Sequence, residues 1–352
     1  MKQYLTGFFM AWGNFCALPC PCKRWDTNAT PLMLGFLPSV GVIIGAIWAV
    51  LYFAAVYFGL PYLVVAFLVT FLPFALCGFL HMDGFMDCSD AILSRRPLED
   101  RQRILKDSHT GAFAVISIVF YILAYFAFTS TAITIGIDFA NMLLLVCLSR
   151  SVSGLHVLIA KPMQTSQYVK MQPEADPDET TAADIDEAEK TSHAVSDVVS
   201  DSAIAYRTET LLSSADAGEP KPSCCEAAVS FAEQIAEETS THADGETKAE
   251  ANIEPEAKAE SHLAPQIATG TRPATKKQGI VLLLAQLVIY LALAFWCSSY
   301  PIVTAIMCAF TVCAVCAAIF YGRRQLGGMN GDIAGYGILW GELFGMLALA
   351  LF

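Results

Sequence analysis

The chain has 352 residues, 55% of them hydrophobic, and a formal net charge of −12 at pH 7. So high an apolar content excludes an ordinary soluble enzyme and predicts an all-α fold, a polytopic bundle of membrane-spanning helices. The acidity is concentrated in one segment, and the rest of the chain is slightly basic.

That segment, residues 164–276, carries 23 Asp and Glu side chains against 8 Lys and Arg, with few aromatic residues. Such a composition cannot bury enough apolar surface to fold, so it predicts a disordered acidic insertion in a cytoplasmic loop. The insertion separates an N-terminal membrane half, residues 1–163 with about four spans, from a C-terminal membrane part, residues 277–352 with about three.

The first residues predict an amphipathic helix at the membrane interface. About seven later stretches are apolar and long enough to span, at roughly 34–58, 61–80, 112–134, 139–160, 279–298, 301–321 and 333–352. Basic residues cluster in every second connection, and the positive-inside rule places those connections in the cytoplasm. We therefore expect a multi-pass protein of the cell membrane.

Three carboxylates follow the second predicted span directly. On a helix, the spacing i, i+4, i+7 puts Asp83, Asp87 and Asp90 along one face, where their charges repel unless a cation lies among them. Mg²⁺ prefers such oxygen ligands, and phosphate oxygens usually complete its shell. The pattern predicts phosphoryl chemistry at the cytoplasmic membrane surface. The simpler alternative is a solvated end of an interfacial helix.

Two neighbours of these carboxylates are also candidates. Gly84 lets a ligand or a neighbouring backbone approach closely. His81 is a candidate substrate contact or proton acceptor.

A second motif, from Lys106 to Gly111, opens the third predicted span. Lys106 can pair with a phosphate, and Asp107 can be a further metal ligand. Ser108 or Thr110 can cap the following helix, whose free N–H groups then hold an anion. An ordinary helix cap is the simpler alternative.

A third motif is the glycine-rich run from Gly327 to Gly335, which leads into the last predicted span. Gly328 and Gly331 allow backbone amides to wrap around a phosphate, and Asp332 can join the metal site. The alternative is a flexible turn followed by small-residue helix packing.

Two ionisable residues lie inside predicted spans, where charge is costly. Arg150, midway along the fourth span, must pair with a carboxylate or bind an anionic ligand. Its candidate partners are Asp107, Asp332 and Glu342. We expect Glu342 to face the interior of the bundle.

In this order and at these spacings, the three motifs resemble those of the adenosylcobinamide-GDP ribazoletransferases, also called cobalamin synthases. The likeness covers most of residues 4–163 and 277–352 and includes the early run Gly35 to Gly41. Two features depart from it. The acidic insertion is not general to that family, and Asn330 stands where we expect threonine.

The resemblance implies a Mg²⁺-dependent transferase that joins α-ribazole, or its 5′-phosphate, to adenosylcobinamide-GDP and releases GMP. Asp83 and Asp87 would hold Mg²⁺ on the pyrophosphate, and Asp90 would bind metal or accept the ribose hydroxyl proton. Asp107 and Asp332 would be secondary metal ligands.

Charge on the departing GMP would be offset by Lys106 or Arg150. The residues expected to contact substrate are His81, Gly84, Ser108, Gly328 and Gly331. The active site would face the cytoplasm, with the lipid bilayer as surroundings and no nucleic-acid partner; self-association is left open.

Two other functions fit parts of the pattern. The CDP-alcohol phosphotransferases also cluster aspartates on membrane helices, but this chain lacks the Ala-Arg step that follows their Asp-Gly. A cation transporter is a less favoured alternative, because its carboxylates would lie near the bilayer midplane on several helices.

Overall fold

A computed structural model of the protein describes residues 2–163, 166 and 273–352. Within these ranges the regular elements are helices, and the backbone pairing of Pro162 with Met329 is an isolated bridge. The prediction of an all-α fold is confirmed.

The described chain forms eleven α-helices. They are α1 (Lys2–Phe15), α2 (Thr30–Gly35), α3 (Leu37–Tyr57), α4 (Tyr62–Leu76), α5 (Leu80–Leu93), α6 (Leu98–Ile104), α7 (Ala112–Ile135), α8 (Phe139–Ile159), α9 (Lys276–Cys297), α10 (Pro301–Leu326) and α11 (Gly331–Leu351).

Six of these helices, α3 and α7 to α11, are long and apolar enough to cross a membrane, so the protein is a multi-pass membrane protein. The predicted span at 61–80 is not one continuous helix. The helix α4 ends at Leu76, and α5 continues at an angle of 87°. Gly78 and Phe79 between them adopt left-handed conformations, with φ of 62° and 60°. Two left-handed residues in succession end a right-handed helix and redirect the chain.

The core lies around α8 and α11, which are the most deeply buried of the six long helices. Glycines on α11 allow this packing, because a side chain at Gly341 would collide with Val315 of α10 and one at Gly345 with Leu145 of α8. On the other side of the bundle, the Trp48 indole of α3 donates a hydrogen bond of 2.9 Å to a carbonyl of α4. The contacts at Gly341 and Gly345 show the small-residue packing that the sequence offered as the alternative for the last span.

Most of the predicted insertion, residues 164–276, lies outside the described residues. Where the chain enters it, the Met163 amide donates to the Met329 carbonyl at 2.9 Å, and the Met329 amide donates to the Lys161 carbonyl at 3.0 Å. Where the chain leaves it, Thr275 caps α9. The residues just before the insertion, 161–163, are therefore held against the glycine-rich run.

Candidate active site

The three aspartates of the first motif lie on α5, as the spacing predicts. Asp83 is exposed, and Asp87 and Asp90 are half-buried. The Asp87 carboxylate lies within electrostatic range of three other carboxylates, those of Asp83, Asp332 and Asp90. Asp332 of the third motif thus joins the three aspartates of the first. These four carboxylates form the carboxylate cluster.

This fourth acid is brought in by a close crossing of α5 and α11. A methyl group placed on Gly84 of α5 would lie 2.8 Å from the Cα of Asp332. Reciprocally, a methyl group on Gly335 of α11 would lie 3.1 Å from the carbonyl oxygen of His81. Each helix therefore presents a glycine to the backbone of the other. Of the two roles predicted for Gly84, the structure shows the approach of a neighbouring backbone.

Gly84→Ala is expected to lower the free energy of unfolding by about 1–3 kcal/mol, because the added methyl group overpacks the crossing. It should also reduce catalytic activity, since α5 and α11 must move apart and carry Asp332 away from the α5 aspartates. Thermal unfolding in detergent and an activity assay measure the two effects. Gly335→Ala is the matched control and should be milder, because its methyl group meets His81 at a longer distance. Equal behaviour of both variants would contradict this view of the crossing.

Asn330 begins α11 and orients Asp332. Its Oδ1 accepts a hydrogen bond of 2.9 Å from the Ile333 amide, which makes Asn330 the N-cap. Its Nδ2 donates to Asp332 Oδ2 at 2.6 Å. Sequence reasoning missed both roles, although an Asn directly before an apolar helix is a recognisable capping signal.

Asn330→Asp separates the two roles of Asn330. It keeps a capping oxygen of equal quality, so stability should stay near that of the wild type. It removes the donor to Asp332, and activity should fall by about tenfold or more, because Asp332 loses the hydrogen bond that orients it. Asn330→Ala should lose the cap as well, at a cost of about 1 kcal/mol. Wild-type activity of Asn330→Asp would show that the hydrogen bond to Asp332 is unimportant.

The side chain of Asp90, on α5, lies against the start of α7. Its carboxylate contacts Gly111 so closely that a side chain at Gly111 would collide with it. Gly111 is the N-cap residue of α7, and no side chain caps the helix by a hydrogen bond. The predicted caps, Ser108 and Thr110, are therefore wrong for this helix. Both lie in the exposed loop before it.

The same exposed loop holds Lys106 and Asp107. The Asp107 carboxylate accepts hydrogen bonds from the His109 side chain at 2.6 Å and the His109 amide at 3.0 Å. These two hydrogen bonds hold the pKa of the Asp107 carboxyl below its usual range. The charges that act on Asp87 come from the other three aspartates rather than from this one.

The glycine-rich run connects α10 to α11 and packs against residues 161–163. Gly327 ends α10 in a left-handed conformation. A side chain at Gly328 would lie 2.8 Å from the backbone of Met163, so glycine is required where the run pairs with residues 161–163. Gly331 is the first residue of α11. The loop thus sets the position of Asp332, and its contact with phosphate stays a prediction.

Arg150 is paired inside the bundle, and its partner is Glu342, one of the three carboxylates predicted. The Arg150 guanidinium donates to the Glu342 carboxylate, and both residues are only 1% exposed. The guanidinium also donates to Cys77 Sγ at 2.9 Å and to the Val146 carbonyl at 3.1 Å. Arg150 therefore joins α8 and α11 to the end of α4, which is a structural role. Glu342 faces the interior as predicted.

The donor set of the cluster fits a divalent cation. Four carboxylates are the hard oxygen ligands that Mg²⁺ takes, and Mg²⁺ usually keeps part of its shell for phosphate and water. Within the described part of the chain, no group of three or more His, Cys, Asp and Glu side chains is already arranged as a metal site. A cation bound here would leave coordination positions for phosphate oxygens and water.

Fold and site together define a multi-pass helical membrane protein with a carboxylate cluster suited to a cation and a phosphate. A profile of the cobalamin-5-phosphate synthase family matches residues 7–183 and 253–350. The chain belongs to this family.

Individual relatives agree with this assignment. A protein of Clostridium perfringens strain 13 is 36% identical over 170 residues, which are 48% of this chain and 68% of the relative. One from Clostridium botulinum strain Eklund 17B is 41% identical over 119 residues, 34% of this chain and 47% of the relative. One from Geobacillus sp. strain WCH70 is 36% identical over 186 residues, 50% and 68%. All three are named adenosylcobinamide-GDP ribazoletransferase. No solved structure is significantly similar to the chain.

Proposed function

We propose that this protein is an adenosylcobinamide-GDP ribazoletransferase. It joins α-ribazole or its 5′-phosphate to adenosylcobinamide-GDP, and it forms adenosylcobalamin or adenosylcobalamin 5′-phosphate together with GMP. The observation that carries the proposal is the family membership of a chain in which α5 and α11 cross and bring Asp332 to the aspartates of α5.

The transfer needs one bond to form and one to break. A ribose hydroxyl oxygen of α-ribazole bonds to the cobinamide-linked phosphorus, and the bond from that phosphorus to the oxygen of the departing GMP breaks. The hydroxyl proton passes to a carboxylate of the cluster. GMP leaves with the electron pair of the broken bond.

Asp83, Asp87 and Asp332 would hold Mg²⁺ in this enzyme. When bound, Mg²⁺ would neutralise charge on the pyrophosphate oxygens. The hydrogen bond from Asn330 keeps Asp332 turned in one direction for this purpose.

Asp90 has a different position from the other three. Its carboxylate lies against Gly111, the N-cap residue of α7. Beside the predicted roles of metal binding and proton acceptance, this contact supports positioning of the α6–α7 loop by Asp90. Lys106, exposed in that loop, is the better candidate for offsetting charge on GMP, because Arg150 is already paired.

The distribution of basic residues supports a location in the cell membrane with the cluster facing the cytoplasm. Lipid then surrounds the six long apolar helices, and the nucleotide substrates reach the site from the cytosol. No observation on the described residues favours the CDP-alcohol phosphotransferase or the cation transporter.

The test is an assay of purified protein in liposomes with adenosylcobinamide-GDP, α-ribazole and Mg²⁺. We expect GMP release that stops on addition of EDTA and returns with excess Mg²⁺. GMP release that continues unchanged in EDTA would contradict the metal assignment. Cation flux through the liposomes without GMP release would instead favour a transporter.

A further inference from the structure

A cavity of about 730 Å³ lies between α1 and the segment that follows it. Its lining includes Phe9, Asn14, Cys16, Lys23, Arg24 and Trp25. This volume falls within the range of sites that enclose a small-molecule ligand, about 300–1,000 Å³. None of these residues belongs to the carboxylate cluster.

Hydrogen bonds fix the wall of this N-terminal cavity. The Trp12 indole of α1 donates to the Leu18 carbonyl at 3.2 Å. The Cys20 thiol lies 3.6 Å from the Phe9 carbonyl and 3.3 Å from the Cys22 carbonyl. The segment is therefore tied back onto α1, and the space between them is a defined part of the fold.

The cavity combines two cations with aromatic rings. Lys23, Arg24 and Trp25 are exposed at its edge, and Phe9 is half-buried. The ion pairs of the described residues involve neither Lys23 nor Arg24. Adjacent Lys and Arg side chains bind phosphate, and Trp and Phe rings stack on flat heterocycles. A heterocyclic base that carries a phosphate matches both features.

The floor of the cavity adjoins the start of α5. The Ala17 amide donates to the Leu76 carbonyl at 2.7 Å, at the end of α4. Cys16 lies within electrostatic range of Arg150. The helix α5 begins four residues after Leu76, and Asp83 follows within its first turn. The cavity thus borders the turn that leads from α4 into α5.

We infer that the N-terminal cavity binds the nucleoside 5′-phosphate part of a substrate, with Lys23 and Arg24 on the phosphate and Trp25 and Phe9 on the base. The inference rests on the proposed function, which supplies two sources of this chemistry. One is the GMP part of adenosylcobinamide-GDP, and the other is α-ribazole 5′-phosphate.

Equilibrium binding tests this inference without turnover. GMP and α-ribazole 5′-phosphate are titrated separately into the purified full-length protein in neutral-lipid nanodiscs, and Kd is read from tryptophan fluorescence or calorimetry. In Lys23→Gln/Arg24→Gln, Kd for one of the two nucleotides should rise about tenfold or more, because two charged phosphate contacts are lost. Trp25→Ala should weaken the same nucleotide. The nucleotide that responds identifies the source.

The matched control is Lys276→Gln/Lys277→Gln, which removes the same charge at the start of α9 and should leave both Kd values unchanged. Wild-type Kd values for both nucleotides in Lys23→Gln/Arg24→Gln would overturn the inference. A rise in Kd that is seen only in nanodiscs containing phosphatidylglycerol, and not in neutral-lipid nanodiscs, would also overturn the inference. The two cations would then serve lipid headgroups. Failure of the wild type to release GMP refutes the proposed function but leaves the binding result standing.

Discussion

Asp87→Asn is expected to lower kcat for GMP release by about 100-fold or more, with the protein still folded in the membrane. Asp87 is the α5 aspartate on which the charges of Asp83, Asp90 and Asp332 all act. Asn has a similar shape but carries no charge. A bound cation supplies several kcal/mol of charge stabilisation in the transition state, and each loss of about 1.4 kcal/mol costs a factor of ten.

Asp100→Asn is the matched control for this variant. Asp100 lies on α6 in an exposed pair with Arg103, so the same chemical change should leave kcat near the wild-type value. Raising the Mg²⁺ concentration should recover part of the activity of Asp87→Asn if the loss lies in metal affinity. Full activity of Asp87→Asn at low Mg²⁺ would remove Asp87 from the metal site.

Arg150→Ala is expected to destabilise the protein by about 3–5 kcal/mol, because it leaves the Glu342 carboxylate buried without its partner. Thermal unfolding in detergent can be followed with a fluorescent thiol probe. Buried cysteines, among them Cys77, Cys88 and Cys147, become reactive only when the bundle opens. Arg103→Ala breaks an exposed pair and should cost less than about 1 kcal/mol.

A double variant separates a structural role of Arg150 from a catalytic one. Arg150→Met with Glu342→Leu removes both charges and fills the space with apolar groups, which is often neutral or stabilising for a buried pair. We expect the double variant to regain most of the lost stability and to release GMP at a rate near that of the wild type. A stable double variant that is inactive would return Arg150 to the catalytic residues.

The register of the aspartates on α5 could be predicted from sequence because it depends only on local helical geometry. The spacing of Asp83, Asp87 and Asp90 sets which face they share, whatever surrounds the helix. Arg150 could be assigned a carboxylate partner for a similar reason, since an unpaired charge inside a bundle is costly. The choice of Glu342 among three candidates needed the packing of α8 against α11.

The features that could not be predicted from the sequence depend on contacts between helices. Hydropathy is averaged over a stretch of residues and carries no information on the direction of the chain. The turn at Gly78 and Phe79 therefore could not be predicted within an apolar run. Ser108 and Thr110 were suitable caps by residue type, but the carboxylate of Asp90 lies over the N-terminus of α7 instead. The sequence did predict Asp332 as a further metal ligand, but not the close approach of α5 and α11 at Gly84 that places Asp332 near the α5 aspartates.

The most direct measurement is the stoichiometry of the two products from one sample of purified wild-type protein. After incubation with adenosylcobinamide-GDP, α-ribazole and Mg²⁺, chromatography with mass detection quantifies GMP and adenosylcobalamin. We predict equal molar amounts of both products, and about 100-fold or more less of each from Asp87→Asn in the same time. GMP without an equal amount of adenosylcobalamin would show hydrolysis instead of transfer and would contradict the proposed function.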